Sequence, residues 1–480
     1  METWSELYID GSWQPPVNGQ SRELISPVDE SVWTRVAEGS SEDVDRAVSA
    51  ARRAVDSGPW RDMDPAERAA IMRRAADIVR EHAETLALVI TRENGAPLRY
   101  TRRDTASHHE WWHYYAGAID KLTGSTIPTA PDKLVYTTYE PIGVVALIVP
   151  WNFPLLILTW KLTAALAAGN AVVIKPADGT PVSALVLVGA LEAAGFPPGV
   201  INVVTGAGQT VGRALAEHAD VDKLSFTGST RTARQLLVSA GGNLKRLALE
   251  LGGKSAQMIF PDADLDRALD SAVENAFIYT GQSCTLGSRV LVHTDIYDEF
   301  VPRFVERAQR LIVGDPLSPD TDLGPHSSKE QLEKTLEYIE IGKAGGAVLA
   351  LNGATTTDDH GSGYFVGPTV FTDVTSDMRI AKEEIFGPVV SIIRFSDTED
   401  CIEIANSVDY GLTASIWTLN LSLAHQVARR IQAGTVWVNT FRYLRWTIPY
   451  GGVKQSGWGR ENGLDSLREF SNSKSIVVAL

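Results

Sequence analysis

Between residues 143 and 251 apolar strands and helical runs alternate without a break, and few folds accommodate that pattern. Strands are predicted at 143–149, 171–174, 200–204, 223–226 and 247–251, with helices at 155–168, 183–194, 211–218 and 230–239 between them. The strands are almost continuously apolar, as buried parallel strands are when helices cover both faces of a sheet. Strict alternation therefore predicts a doubly wound α/β sheet, which binds ligands outside the carboxyl ends of its strands. Two glycine-rich turns fall there, 206–212 and 227–230. The first is one residue away from the dinucleotide fingerprint spacing and the second has no glycine triplet, so phosphate binding and plain punctuation stay equally open.

A second α/β series follows. It has helices at 264–279, 297–311, 329–344, 398–406 and 422–432, and strands at 290–292, 347–351, 389–395, 414–418 and 435–439. Ahead of the first series lie a hairpin-rich opening (7–36), a helix beginning at a Ser41 cap, and helices at 64–80 and 84–94. An extended Thr-rich pair of strands (124–140) and a final strand (475–480) complete the pattern. At 480 residues the chain is too long for one simple core, which implies two or three domains.

Composition narrows the function. A net charge of −15 is wrong for a nucleic-acid surface, which needs a basic stripe. The only two cysteines, Cys284 and Cys401, exclude a disulfide framework and fit a reducing compartment. The first six residues have neither the basic start nor the apolar core of a signal peptide. The most apolar stretch, 144–174, is interrupted by Pro150, Asn152, Pro154, Lys161 and Asn170, so it is not a membrane span. The expectation is a soluble cytoplasmic protein.

Chemistry concentrates at two places. Cys284 sits between Gly281 and Gly287, after a helical run and before an apolar strand. Glu250 ends a strand and is followed by Leu251, Gly252 and Gly253, two glycines that permit another group to approach closely. A thiol with a carboxylate base can run covalent catalysis through a thioester. The bland alternatives are a small buried hydrophobe and a solvated strand cap. Cys401 falls inside a helix and reads as packing. His109-Glu110-Trp111-Trp112-His113 matches the zinc pattern H-E-x-x-H, but no third ligand follows, so no metal is expected.

Seven segments, in this order, resemble the aldehyde dehydrogenase superfamily over essentially the whole chain. They are Pro150-Trp151-Asn152-Phe153-Pro154, Lys175-Pro176-Ala177, Phe226-Thr227-Gly228-Ser229-Thr230, Leu249-Glu250-Leu251-Gly252-Gly253-Lys254, Gly281-Gln282-Ser283-Cys284, Glu384-Ile385-Phe386-Gly387-Pro388-Val389 and Pro449-Tyr450-Gly451-Gly452. The resemblance implies a Rossmann-like NAD-binding domain (1–121 and 142–252), an α/β catalytic domain (253–455) and a small β oligomerisation arm (122–141 and 456–480). It implies NAD-dependent oxidation of an aldehyde by a homodimer or homotetramer, with NADP as the alternative cofactor and no nucleic acid or membrane partner.

Roles carry over by position. Cys284 is the nucleophile, Asn152 and the Cys284 N–H hold the oxyanion, Glu250 activates water, and Lys161 completes the catalytic set. Cofactor contacts would come from Val149, Pro150, Trp151, Lys175, Ala177, Asp178, Gly208, Gly212, Phe226, Thr227, Gly228, Ser229, Leu251, Glu384 and Phe386. Two departures matter. Arg231-Thr232-Ala233 stands where Glu-Val-Gly is usual, and Asp178 stands where Glu is frequent, which weakens the exclusion of a 2′-phosphate.

The substrate tunnel implied by position is Phe153, Leu156, Ile157, Trp160, Ile278, Thr285, Leu444 and Tyr450. That lining favours a hydrophobic or aromatic aldehyde. Arg442 and Arg445 near the mouth offer an alternative, a semialdehyde carboxylate, against the plainer reading of two solvated arginines. A coenzyme A-acylating enzyme and a non-catalytic binding relative remain as further alternatives, both disfavoured by the presence of Glu250.

Overall fold

In the computed structural model, residues 3–354 and 362–480 are described; Met1 and Glu2, the start of the segment read as no signal peptide, lie outside them. The alternating region forms the middle of an eight-stranded sheet. Its five parallel strands run in the spatial order Arg246–Glu250, Lys223–Thr227, Val144–Ile148, Ala171–Lys175, Ile201–Val203. Helices Pro154–Ala167 and Val182–Leu191 are apolar nearly all round, as helices wedged between a sheet and other helices must be. The first strand of the series thus has its two successors on one side and the last two on the other. That reversal opens a crevice at the carboxyl ends of Val144–Ile148 and Lys223–Thr227.

Antiparallel strands close both edges. Leu7–Ile9 and Ser12–Gln14 extend one side, and Gly457–Trp458 pairs with Arg246–Glu250 on the other. Residues 457–458, expected in the arm, therefore belong to the first sheet.

A seven-stranded sheet builds the second half, ordered Val348–Leu351, Thr369–Thr372, Val389–Phe395, Arg289–His293, Ala256–Ile259, Thr413–Trp417, Thr435–Val438. All neighbours are parallel except the first pair. The arm-like sheet is separate: Ser471–Ala479 pairs along its whole length with Lys133–Pro141, and Thr126–Ile127 flanks it. The final strand starts four residues earlier than its apolar part implied, because Ser471 to Lys474 still find backbone partners.

Other boundaries moved for local reasons. The first long helix is Ser41–Asp56 and its cap is Ser40, which forms a reciprocal capping box with Asp43. The expected helix 211–218 begins instead as a π-turn, Gly208–Gly212, and becomes α-helical only at Arg213–Glu217. Helix Thr294–Gln309 starts earlier than expected and passes through Pro302. Helix Leu265–Phe277 stops two residues short of the expected Tyr279, which has a left-handed backbone (φ 53°). Strands Ala256–Ile259 and Thr369–Thr372 and helix Leu98–Thr105 were not predicted; each is short and lacks a clean period. His109 and His113 meet only ring edge to ring face, 5.9 Å between centroids. Among the described residues no helix is long and apolar enough to cross a membrane.

One buried group carries a stability prediction. Glu93, at the end of helix Ala83–Asn94, accepts from the N–H groups of Val182 (2.9 Å) and Ser183 (3.2 Å) and from the Ser183 hydroxyl. It thereby satisfies the start of helix Val182–Leu191 from outside. Burial lifts its pKa from 4.5 to about 8. The folded chain then keeps a proton that the unfolded chain sheds, so stability should fall as pH rises between these two values, by up to about 1.4 kcal/mol per unit. Glu93→Gln keeps the acceptor and should flatten this slope in denaturant titrations from pH 5 to 8. Glu93→Ala should cost about 1–3 kcal/mol throughout, because three buried donors lose their partner.

Candidate active site

Cys284 is presented by a loop whose shape depends on three consecutive left-handed residues, Tyr279, Thr280 and Gly281. The two non-glycine members are tied down, Tyr279 by its hydroxyl to Asp104 and Thr280 by its hydroxyl to the Gly324 carbonyl. Gly281 is obligatory, since a Cβ there would lie 2.2 Å from the Gly387 backbone. The loop meets the end of strand Arg246–Glu250, where a Cβ on Gly253 would sit 2.7 Å from the Cys284 carbonyl. The close approach read from the Gly252-Gly253 pair is thus the contact that joins the two halves of the site.

Cys284 and Glu250 line one cavity of about 460 Å³, together with Phe153, Leu156, Ile157, Trp160, Thr285, Leu444 and Tyr450. Past Leu156, Trp160, Arg442 and Leu444, which border both spaces, lies an outer cleft of about 1780 Å³. Ile278 lines that outer cleft and not the inner cavity, so its expected place in the tunnel moves outward. Thr227 and Leu251, expected beside the cofactor, also reach the inner cavity, at the end where the sheet crevice meets it.

The wall is apolar, and that sets the protonation states. Burial pushes the Cys284 thiol up to about 11, although the Tyr450 hydroxyl, 3.9 Å from Sγ, pulls the other way. Glu250 is buried with neither carboxylate oxygen hydrogen-bonded among the described residues. Burial, then the neighbouring Glu461, raise it well above the ordinary carboxylate range against the opposing pull of Lys161 and Arg460. Glu461 was not anticipated. It lines the same cavity, and its Oε1 accepts from Lys161 Nζ at 2.6 Å. Lys161 itself is fully buried one step behind, also on the Ser225 hydroxyl at 2.8 Å, and does not touch the cavity. No local motif could have revealed that pair, since its members are 300 positions apart.

Asn152 follows the crevice strand Val144–Ile148. Its Nδ2 donates to the Gln282 carbonyl at 3.0 Å, which leaves one amide hydrogen beside the Cys284 loop. Among the described residues no acceptor takes the Cys284 N–H.

Along the crevice, the Val149 N–H donates to the Lys175 carbonyl at 3.2 Å, aligning the Pro150 turn with the next strand. Lys175 Nζ bonds Asp178 at 2.5 Å, and the Gly208 N–H donates to the same carboxylate at 3.1 Å. Gly212 packs above the Lys175 stem, and the Ala177 carbonyl accepts from Thr180. Burial raises Asp178, but Lys175, the Gly208 N–H and Arg22 together more than offset it and the net shift is downward. Gly228 lies so close over Phe226 that a Cβ would be 2.5 Å from the ring, and Ser229 caps helix Thr230–Ser239. Trp151 and Phe386 meet edge to face at 5.4 Å, and Glu384 accepts from the Gly253 N–H at 2.9 Å. Arg231 is exposed, and Ala233 is buried in the helix that Ser229 caps.

Arg442 and Arg445 part company. Arg445 is exposed and lines the outer cleft, over the rings of Tyr443 and Trp446. Arg442 is half-buried and forms part of the inner wall.

This geometry has close relatives. The aldehyde dehydrogenase family model matches residues 13–476. An aldehyde dehydrogenase of Emericella nidulans is 47% identical over 476 residues, covering 99% of this chain and 95% of the relative. The solved structure of an aldehyde dehydrogenase from Bacillus cereus, an NAD⁺ complex, superposes with a TM-score of 0.96 at 43% identity, over 99% of this chain and 97% of that one. Betaine aldehyde dehydrogenase from Staphylococcus aureus, also with NAD⁺, gives 0.97 at 38% identity, over 99% and 94%. Likeness of this extent settles the lineage that the thiol and the buried carboxylate pointed to: the chain belongs to the aldehyde dehydrogenase family.

Proposed function

We propose that the enzyme oxidises an aldehyde to its carboxylic acid with NAD, through a thioester on Cys284 that water hydrolyses with Glu250 as base. The observation that carries this reading is that both side chains line one cavity at the end of the crevice where the parallel sheet reverses its order. The crevice suits a dinucleotide. Bare backbone at Gly228 leads into a helix N-terminus, where N–H groups favour phosphate. Asp178, already paired with Lys175, suits a ribose diol and disfavours a 2′-phosphate, and the NAD⁺ bound by both structural relatives supports the same choice.

The chain's own groups divide the work. Cys284, once ionised, adds to the carbonyl carbon and makes it tetrahedral. The free amide hydrogen of Asn152 and the Cys284 N–H hold the resulting oxyanion, each for about 3 kcal/mol. When bound, the nicotinamide supplies the acceptor for the hydride that this carbon expels. Glu250, in its ionised form, then takes the proton of the attacking water, and burial with the nearby Glu461 makes that form a stronger base than an ordinary carboxylate. A base placed to activate water favours hydrolysis over acyl transfer to coenzyme A.

The cavity wall of Phe153, Leu156, Ile157, Trp160, Leu444 and Tyr450 suits a substrate with an apolar or aromatic body. A trimethylammonium aldehyde, the kind named for the Staphylococcus relative, would meet the Arg442 cation in that wall. Residues 122–141 with the last strand we assign to assembly of a homodimer or homotetramer, supported by the exposed Leu134, Val477 and Leu480 on that sheet.

Cys284→Ala should abolish NAD-dependent aldehyde oxidation and leave NAD binding intact; retained turnover would remove the nucleophile assignment. Glu250→Gln should still release a burst of about one reduced nicotinamide per site, followed by turnover slowed roughly 10²–10⁴-fold. In the cofactor-free enzyme, iodoacetamide should alkylate Cys284 about tenfold faster per pH unit from 7 to 10, because the thiol titrates near 11. A plateau near pH 8 would contradict the apolar setting of the thiol. Val477→Asp with Leu480→Asp should lower the mass measured by light scattering.

A further inference from the structure

Arg442 is a cation built into an apolar wall without an anion to match it. Its guanidinium carbon stands 5.3 Å over the Phe153 ring and 5.6 Å over the Tyr279 ring. Its Nε is buried with no hydrogen-bond partner, and no ion pair to it occurs among the described residues. The acids of the same outer cleft are already engaged elsewhere. Asp104 receives the Tyr279 hydroxyl, Glu110 lies 3.4 Å from His109 Nε2, Glu274 pairs with Arg103 at 3.3 Å, and Asp270 pairs with Arg307 at 2.9 Å. The backbone of Arg442 is left-handed (φ 54°), a conformation that a non-glycine residue adopts only when its surroundings hold it there. Arg442 borders both the inner cavity and the outer cleft, so it stands at the end of the cavity that opens outward.

We propose that the substrate is an aldehyde carrying a second group, a carboxylate remote from the reacting carbon, which Arg442 binds while Phe153 and Trp160 flank the body between. This rests on the aldehyde oxidation assigned to Cys284 and names the substrate class for it. The physical reason is the desolvated donor. A buried guanidinium N–H without an acceptor is costly, and a ligand carboxylate supplies the missing acceptor in the fork geometry that guanidinium groups match. A neutral aldehyde leaves the donor unpaired, and a cationic one adds repulsion. The inner wall still accepts an aromatic or unsaturated chain, so the apolar lining and the charge act on different parts of one molecule.

The competing role for Arg442 is to favour the Cys284 thiolate, which its charge also does. The two roles separate by substrate. With the full-length enzyme and NAD, kcat/KM is measured for 4-formylbenzoate, benzaldehyde and a 4-trimethylammonio-benzaldehyde, and for succinate semialdehyde against butanal. The wild type should prefer each carboxylated member by tenfold or more and use the cationic one least. Arg442→Gln should lower the ratio of carboxylated to neutral kcat/KM by roughly a hundredfold, mainly through KM, and Arg442→Lys should recover part of it. A wild type that prefers the neutral members would overturn the proposal. An equal loss on both classes in Arg442→Gln would also overturn it, because that marks an effect on the thiol.

Calorimetric binding of benzene-1,4-dicarboxylate tests the same contact without turnover. The wild type should bind it, and Arg442→Gln should bind it at least tenfold more weakly; equal binding would refute the contact. Absence of oxidation with every aldehyde would count against the parent reading, and the calorimetry would still decide this one.

Discussion

The site depends on main chains meeting where no side chain fits. Gly253 lies against the Cys284 carbonyl, Gly281 against Gly387, and Gly252 against the Glu384 carboxylate, each at a distance that a methyl group would violate. These contacts tie the end of the first sheet to a loop of the second, and they place Glu250 and Cys284 on one wall. Packing has no slack at Gly253 and Gly281, because the nearest neighbours there are backbone rather than side-chain ends that could swing away. The left-handed run at Tyr279 and Thr280 follows from the same constraint. The chain must leave helix Leu265–Phe277 sharply to bring Cys284 back to Gly253, and local strain is the cost of that turn.

Given that wall, the electrostatics follow from its dryness. Burial favours the neutral forms of the Cys284 thiol and the Glu250 carboxyl, so the resting site keeps its charges few. Cations are kept near but not in contact. Lys161 is spent on Glu461, and Arg442 stands over aromatic rings. Ionisation of the thiol therefore needs a change in the local balance that the dry resting wall does not itself supply.

Periodicity made the sheets legible. The parallel strands at 144–250 are largely buried and mostly apolar, and helices Lys329–Ala344 and Thr398–Asn406 and strand Val389–Phe395 lie where spacing put them. The glycine pairs were legible as places of close approach, though not what approaches. What sequence could not show is pairing across long separations. Glu461 meets Lys161 across 300 positions and Cys284 meets Tyr450 across 166, and only the folded chain brings them together. Arg442 looked like a solvated surface residue because nothing local says that its backbone turns inward. Short strands such as Ala256–Ile259 escaped because four buried residues carry no period.

Arg442 also shows why an apolar lining and a charged one are not rival descriptions. A cation over Phe153 and Tyr279 is stabilised by the ring faces, which cost less to desolvate than a carboxylate partner would and leave the N–H groups unspent. An aspartate or glutamate in contact with Arg442 would have satisfied the arginine permanently and closed it to ligands. It would also have pushed the Cys284 thiol still further from ionisation. Aromatic support holds the charge in place without answering it, and the answer is left to whatever enters the cavity.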